Sequence, residues 1–140
     1  MSIIISLTQE AIDRGKKAEA GWSPAILNKI EDKKSTKGNS TNYWFEFELT
    51  GGPENKEDNK GRFCTFMLNS IGMVNGMAVE DFTNMIAALT DQLPKDIVPS
   101  EYDLERLVGN GCWVKVDVKT VDGKIVAQIV DFSRTGDIPF

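Results

Sequence analysis

The sequence predicts a mainly β domain, a five-stranded barrel with one helical insertion. Apolar and polar residues alternate in several short runs, the spacing of half-buried strands. One central segment switches to the spacing of an amphipathic helix. Clusters of Gly, Asn, Asp and Pro separate the runs and supply the turns between them.

The elements follow in order. After Ile3-Ile4-Ile5, the stretch from Thr8 to Arg14 predicts a short N-terminal helix, capped by Ser6 or Thr8 and weakened by Gly15. A first strand runs from Trp22 to about Asp32, and a basic polar loop follows with turn chemistry at Lys37-Gly38-Asn39. The second strand, Asn42 to Leu49, puts Tyr43, Phe45, Phe47 and Leu49 on one face and Asn42, Trp44, Glu46 and Glu48 on the other. Gly51-Gly52-Pro53 stops it. A third strand, Gly61 to Asn69, sets Cys64, Phe66 and Leu68 against Phe63, Thr65 and Met67.

Phe82, Met85, Ile86, Leu89 and Leu93 then predict a helix over 79–93, with Glu80 and Asp81 suiting its positive end and Pro94 ending it. Ser100 and Asp103 predict the cap of a second short helix reaching Val108. A fourth strand, Cys112 to Lys119, turns Val114, Val116 and Val118 one way and Trp113, Lys115, Asp117 and Lys119 the other. Asp122-Gly123 signals a hairpin into a fifth strand ending near Asp131. Three strands, a helical insertion and a closing hairpin is the order of a five-stranded OB-type barrel, with the insertion between strands three and four. The predicted division is an N-terminal segment 1–20, the barrel domain 21–132, and a C-terminal tip 133–140.

Composition narrows the function classes. The 140 residues suit one domain, and no apolar run approaches the roughly 20 residues of a membrane helix. Without a signal-peptide pattern, the expectation is a cytoplasmic protein that engages no membrane. The chain holds no histidine and two distant cysteines, Cys64 and Cys112, which read as small buried hydrophobes in preference to a disulfide. Zinc sites of the usual kinds and Ser-His or Cys-His catalysis are thereby excluded. Glu54, Glu57 and Asp58 lack calcium-loop spacing. The expectation is a protein that is not an enzyme and that needs no metal or cofactor.

Net charge is −5, but its sign is segregated: residues 16–45 sum to +3, residues 46–58 to −4, and residues 80–105 to −6. A nucleic-acid binder needs only a local basic groove. The barrel's binding face in this class combines cations for phosphates with aromatics on which bases stack, each stacked base contributing about 1–3 kcal/mol. Trp44 is the sharpest candidate, an indole on the face opposite Phe45 and Phe47. Trp113 and Phe63 follow by the same logic, while Trp22 reads as a barrel-end plug. Lys29, Lys33, Lys34 and Lys37 cluster on the first strand and its loop, and Arg62, Lys115 and Lys119 lie on later strands. Each has an alternative reading, an aromatic covered by a neighbouring segment or a lysine on an ordinary solvated surface. Asp137-Ile138-Pro139-Phe140 offers a partner an acidic side chain, apolar side chains and a carboxylate, or else is a plain frayed end.

Gly21 to Glu31, Ser35 to Ser40 and Asn42 to Phe47 together resemble the opening of small bacteriophage single-stranded-DNA-binding proteins, and Leu104 to Val116 resembles their later part. The resemblance covers most of residues 20–132 and implies coating of single-stranded DNA in phage replication or recombination. Asp137 to Phe140 resembles the acidic tip of bacterial single-stranded-DNA-binding proteins, which implies docking of replication or recombination enzymes through Ile138, Pro139 and Phe140. That family's tip is more acidic and follows a longer linker than the few residues present here. The other function class left open is a protein-binding adaptor or inhibitor built on the same scaffold. A homodimer through an exposed strand edge is compatible with either.

Overall fold

The alternating runs become five strands in the computed structural model, which describes residues 3–9, 12, 18–35, 39–51, 59–98 and 103–139. They are β1 (Gly21–Lys34), β2 (Thr41–Leu49), β3 (Phe63–Asn69), β4 (Gly111–Val121) and β5 (Lys124–Ser133). β1 pairs antiparallel with both β2 and β4, so the sheet closes on itself in the order β1-β2-β3-β5-β4. Among the described residues the one parallel contact joins β3 to β5 at Thr65 and Gln128. There the backbone ladder is minimal and aromatic packing carries the seam. Phe132 of β5 meets Phe66 of β3 edge-on at 4.9 Å and Phe47 of β2 at 5.8 Å.

The two-residue period decides which side chains go inside. Phe45, Phe47 and Leu49 of β2 have no exposure, and Leu27, Cys64, Leu68, Cys112, Val114, Val116 and Ile129 join them. Val118 does not: it lies further along β4, where the hairpin runs on past the core, and it is exposed, while Cys112 takes the inward position at the strand's start. Both cysteines are free and buried. Asp122 and Gly123 take φ of 50° and 76°, the left-handed pair that a two-residue type I′ connection requires.

Between β3 and β4 lie two helices, α1 (Ser70–Asn75) and α2 (Val79–Thr90). α2 buries Phe82, Met85, Ile86 and Leu89 in the same core as the strands. It ends at Thr90 and not at Leu93: Asp91 takes φ of 54°, and the Gln92 amide donates back to the Ala87 carbonyl at 2.9 Å. Leu93 is therefore outside the helix and exposed. α1 is absent from the sequence reading because Ser70–Asn75 is too short to show a period. One local and one distant bond hold its start: the Asn69 side chain accepts from the Ile71 amide at 2.9 Å, and the Thr41 amide of β2 donates to Ser70 Oγ at 2.9 Å. The second short helix is a 3₁₀ turn, Leu104–Leu107, capped by Asp103, while Ser100 lies outside the described residues.

β1 and β3 also differ from expectation at their ends. β3 starts at Phe63 because Gly61, with φ of 82°, belongs to the preceding turn. That turn is held by Asn59, which is fully buried. The Glu19 amide donates to Asn59 Oδ1 at 2.7 Å, and Asn59 Nδ2 donates to the Glu19 carbonyl at 3.1 Å and to Ser23 Oγ at 2.8 Å. Of the predicted N-terminal helix, Gln9 and Ile12 are helical and the Ile12 amide donates to the Thr8 carbonyl at 3.1 Å; residues 10, 11 and 13–17 lie outside the described residues. No helix among the described residues is long and apolar enough to cross a membrane.

Candidate nucleic-acid interface

A single extra residue in β1 creates the surface around Trp44. Leu27 pairs with Phe47 but Lys29 pairs with Glu46, which leaves Asn28 as a bulge. Without it, Lys29, Glu31 and Lys33 would share the inward parity of Leu27. With it, Ile30 opposes the buried Phe45, and Lys29, Glu31 and Lys33 turn outward beside Trp44 and Glu46. Glu31 and Met67 are the cross-strand partners of Trp44 on either side.

Trp44 is half-buried and stands between two open grooves. One, of about 310 Å³, is lined by Lys29, Glu31, Lys33, Trp44, Glu46 and Thr65. The other, of about 440 Å³, follows the β3–β5 seam past Met67, Val126, Gln128 and Val130. An indole edge with space on both sides and cations within one strand spacing is an arrangement that can stack a base and meet its phosphates.

The cations are not bare. Lys29 Nζ lies 3.0 Å from Glu31 and 3.2 Å from Glu46, and Lys33 Nζ lies 3.5 Å from Glu31. The Glu31 carboxylate, aided by Glu46, holds the Lys29 ammonium above the ordinary lysine range. Lys29 first, and Lys33 after it, hold Glu31 below the ordinary carboxylate range. The two lysines and two glutamates sum to zero charge on this face. Lys34 ends β1, exposed and opposite Thr41 at the mouth of the loop, and Lys37 lies outside the described residues. The loop's far side is tied down: Asn69 Nδ2 donates to Asn42 Oδ1 at 2.6 Å and to Ser40 Oγ at 3.2 Å.

The remaining candidates are elsewhere. Phe63 shares the outer face of β3 but opposes Glu48, two cross-strand pairs from Trp44, and Arg62 precedes it in the turn, half-buried. Trp113 and Lys115 lie on β4, which is separated from β2 by β1 on one side and by β3 and β5 on the other. Trp113 opposes Pro24 and Lys115 opposes Trp22, so Trp22 is an outward residue of this second surface and not a barrel-end plug. Lys115 also opposes Asp131, and Lys119 lies 3.9 Å from Asp117. Closure of the sheet thus splits the aromatic candidates into two faces, Trp44 on one and Trp22 with Trp113 on the other.

At the C-terminal end, Arg134 Nε donates to Asp137 Oδ2 at 2.8 Å, the Asp137 amide donates to the Arg134 carbonyl at 3.0 Å, and Ser133 Oγ donates to the Asp137 carbonyl at 2.7 Å. The one acid of the tip is answered within the chain. Ile138 is exposed, Pro139 is half-buried, and Phe140 lies outside the described residues.

Sequence reasoning missed Val126, Gln128 and Val130, because their place beside Met67 depends on the parallel β3–β5 closure. It also missed the role of Glu31, whose outward turn depends on the bulge. Burial pushes Cys64 up to about 11 and Cys112 up to about 12, so both thiols stay protonated and are poor nucleophiles. Among the described residues no group of three or more His, Cys, Asp or Glu gathers to hold a metal; Glu54, Glu57 and Asp58 lie outside them. No protein-family model matches the chain, and no curated protein is significantly similar to it.

Proposed function

We propose that the closed sheet is an OB-type barrel that binds single-stranded DNA along the Trp44 face without catalysis. The observation that carries this reading is Trp44 itself, an outward tryptophan at the junction of two grooves with Lys29 and Lys33 on the adjoining strand. An indole on the outer side of a sheet adds nothing to the core, whereas a base stacked on it gains about 1–3 kcal/mol. The strand order β1-β2-β3-β5-β4 with helices before β4 supports the barrel type. Coating of strands in phage replication or recombination, in the cytoplasm, is the setting that the sequence resemblance suggests. Recruitment of partner enzymes would rest on exposed Ile138 with Pro139 and Phe140, and less on Asp137, which Arg134 already pairs.

The test is titration of labelled oligo(dT) at low and high salt with the intact chain and with Trp44→Ala. Binding that weakens with salt and falls by roughly tenfold or more in the variant supports the reading. Absence of binding at low salt refutes it. One observation favours a protein-binding scaffold instead: the groove along β3–β5 is rimmed by exposed Met67, Val126 and Val130, an apolar lining suited to a peptide. On that reading oligo(dT) fails to bind and Trp44→Ala has no effect on nucleic acid.

A further inference from the structure

Glu31 occupies the position that a phosphate would take between Lys29 and Lys33. Its carboxylate oxygens lie 3.0 Å and 3.5 Å from the two ammonium groups, one oxygen to each. A phosphate bridging the same lysines would need the same two contacts. The two carboxylates on this face differ in freedom. Glu46 is 11% exposed in its side chain and is held against the sheet, whereas Glu31 is 41% exposed. Lys33, at 67%, is freer still. Glu31 is therefore the group that can swing away while Glu46 stays on Lys29.

We infer that Glu31 is a built-in competitor for the phosphate site: it occupies Lys29 and Lys33 against every polyanion and sets an affinity threshold that a single strand clears by also stacking on Trp44. This rests on the single-strand reading above. A phosphate chain without unstacked bases, such as heparin or a blunt duplex, gains little by exchanging one anion for another at Lys29 and Lys33. A single strand makes the same exchange and adds the stacking contact on Trp44, which is the direct cross-strand neighbour of Glu31. The threshold is electrostatic at Glu31 and the discrimination is aromatic at Trp44, and the two parts are separable.

The experiment measures affinity of the full chain for oligo(dT), for a duplex of equal length and for heparin, with Glu31→Gln and with Glu31→Gln/Trp44→Ala. Glu31→Gln is nearly isosteric at an exposed position, and an unchanged thermal midpoint confirms an intact fold. The expected result in Glu31→Gln is a similar gain of roughly fivefold for heparin, duplex and oligo(dT), since each exchanges against the same carboxylate. The double variant is expected to keep the heparin gain and to lose oligo(dT) affinity. Unchanged affinity for all three ligands in Glu31→Gln overturns the inference while leaving DNA binding intact. Equal binding of heparin and oligo(dT) by the intact chain also overturns it. Failure of the intact chain to bind oligo(dT) overturns the underlying reading, and this inference with it.

Discussion

Replacing Asn59 with alanine severs three hydrogen bonds at a fully buried position, between the segment entering β1 and the turn entering β3. The consequences for the partners differ. Ser23 is also fully buried, so its hydroxyl is left facing a cavity with its amide partner gone. That orphaned group costs about 1–3 kcal/mol. Glu19 is exposed, so water can answer its amide and carbonyl, at a loss of about 0.5–1 kcal/mol each. The sum is about 3 kcal/mol, against the roughly 5–15 kcal/mol that holds a domain folded. At roughly 3–4 °C per kcal/mol for a domain of this size, the thermal midpoint should drop by about 10 °C. Urea denaturation followed by tryptophan fluorescence measures the free energy directly, and a thermal scan gives the shift. Ser23→Ala combined with Asn59→Ala removes the orphaned hydroxyl and should recover about 1 kcal/mol relative to Asn59→Ala alone. A loss under about 1 kcal/mol, or a double variant no more stable than the single one, would refute the reasoning.

Two further stability predictions concern the cysteines and the end of α2. Cys64 and Cys112 should resist a water-soluble thiol reagent until the chain unfolds, and they should make stability pH-dependent on the alkaline side. Their folded values, about 11 and about 12, exceed the ordinary 9.0, so the unfolded chain sheds its protons first. Stability is then full below pH 9 and declines as pH rises through the folded values, by of order a few kcal/mol in all. A Cys64→Ala/Cys112→Ala variant whose urea midpoint falls with pH as steeply as the parent's would contradict this. Asp91 holds φ of 54° at the end of α2, so Asp91→Gly should raise the urea midpoint by the equivalent of about 0.5–1 kcal/mol; a lowered midpoint would count against a strained cap.

Which side chains face the core was legible wherever a strand stayed regular, because a two-residue period is a property of the local backbone. Phe45, Phe47 and Leu49 inside and Trp44 outside follow from order alone, as do the amphipathic face of α2 and the Asp122-Gly123 hairpin. Helix ends were less legible, since Asp91 in a left-handed conformation ends α2 two residues before the last apolar position of the pattern. α1 is started by the Asn69 cap on the Ile71 amide two residues on and by the bond of Ser70 to Thr41 of β2, which only the fold brings near. The site depended most on tertiary structure. A one-residue bulge at Asn28 reverses the parity of everything after it, and only pairing with β2 reveals the bulge. That reversal turns Lys29, Glu31 and Lys33 to the Trp44 side and couples them as ion pairs, where composition gave only a net charge of +3 over residues 16–45. The parallel β3–β5 contact joins residues more than sixty positions apart, and it alone sets Gln128, Val126 and Val130 beside Met67. Local period and turn chemistry are written into neighbouring residues, and so the sequence determined the strands, their inward faces and the outward side of Trp44. Register, closure and charge pairing arise between distant segments, and so only the folded chain decided which residues share a surface.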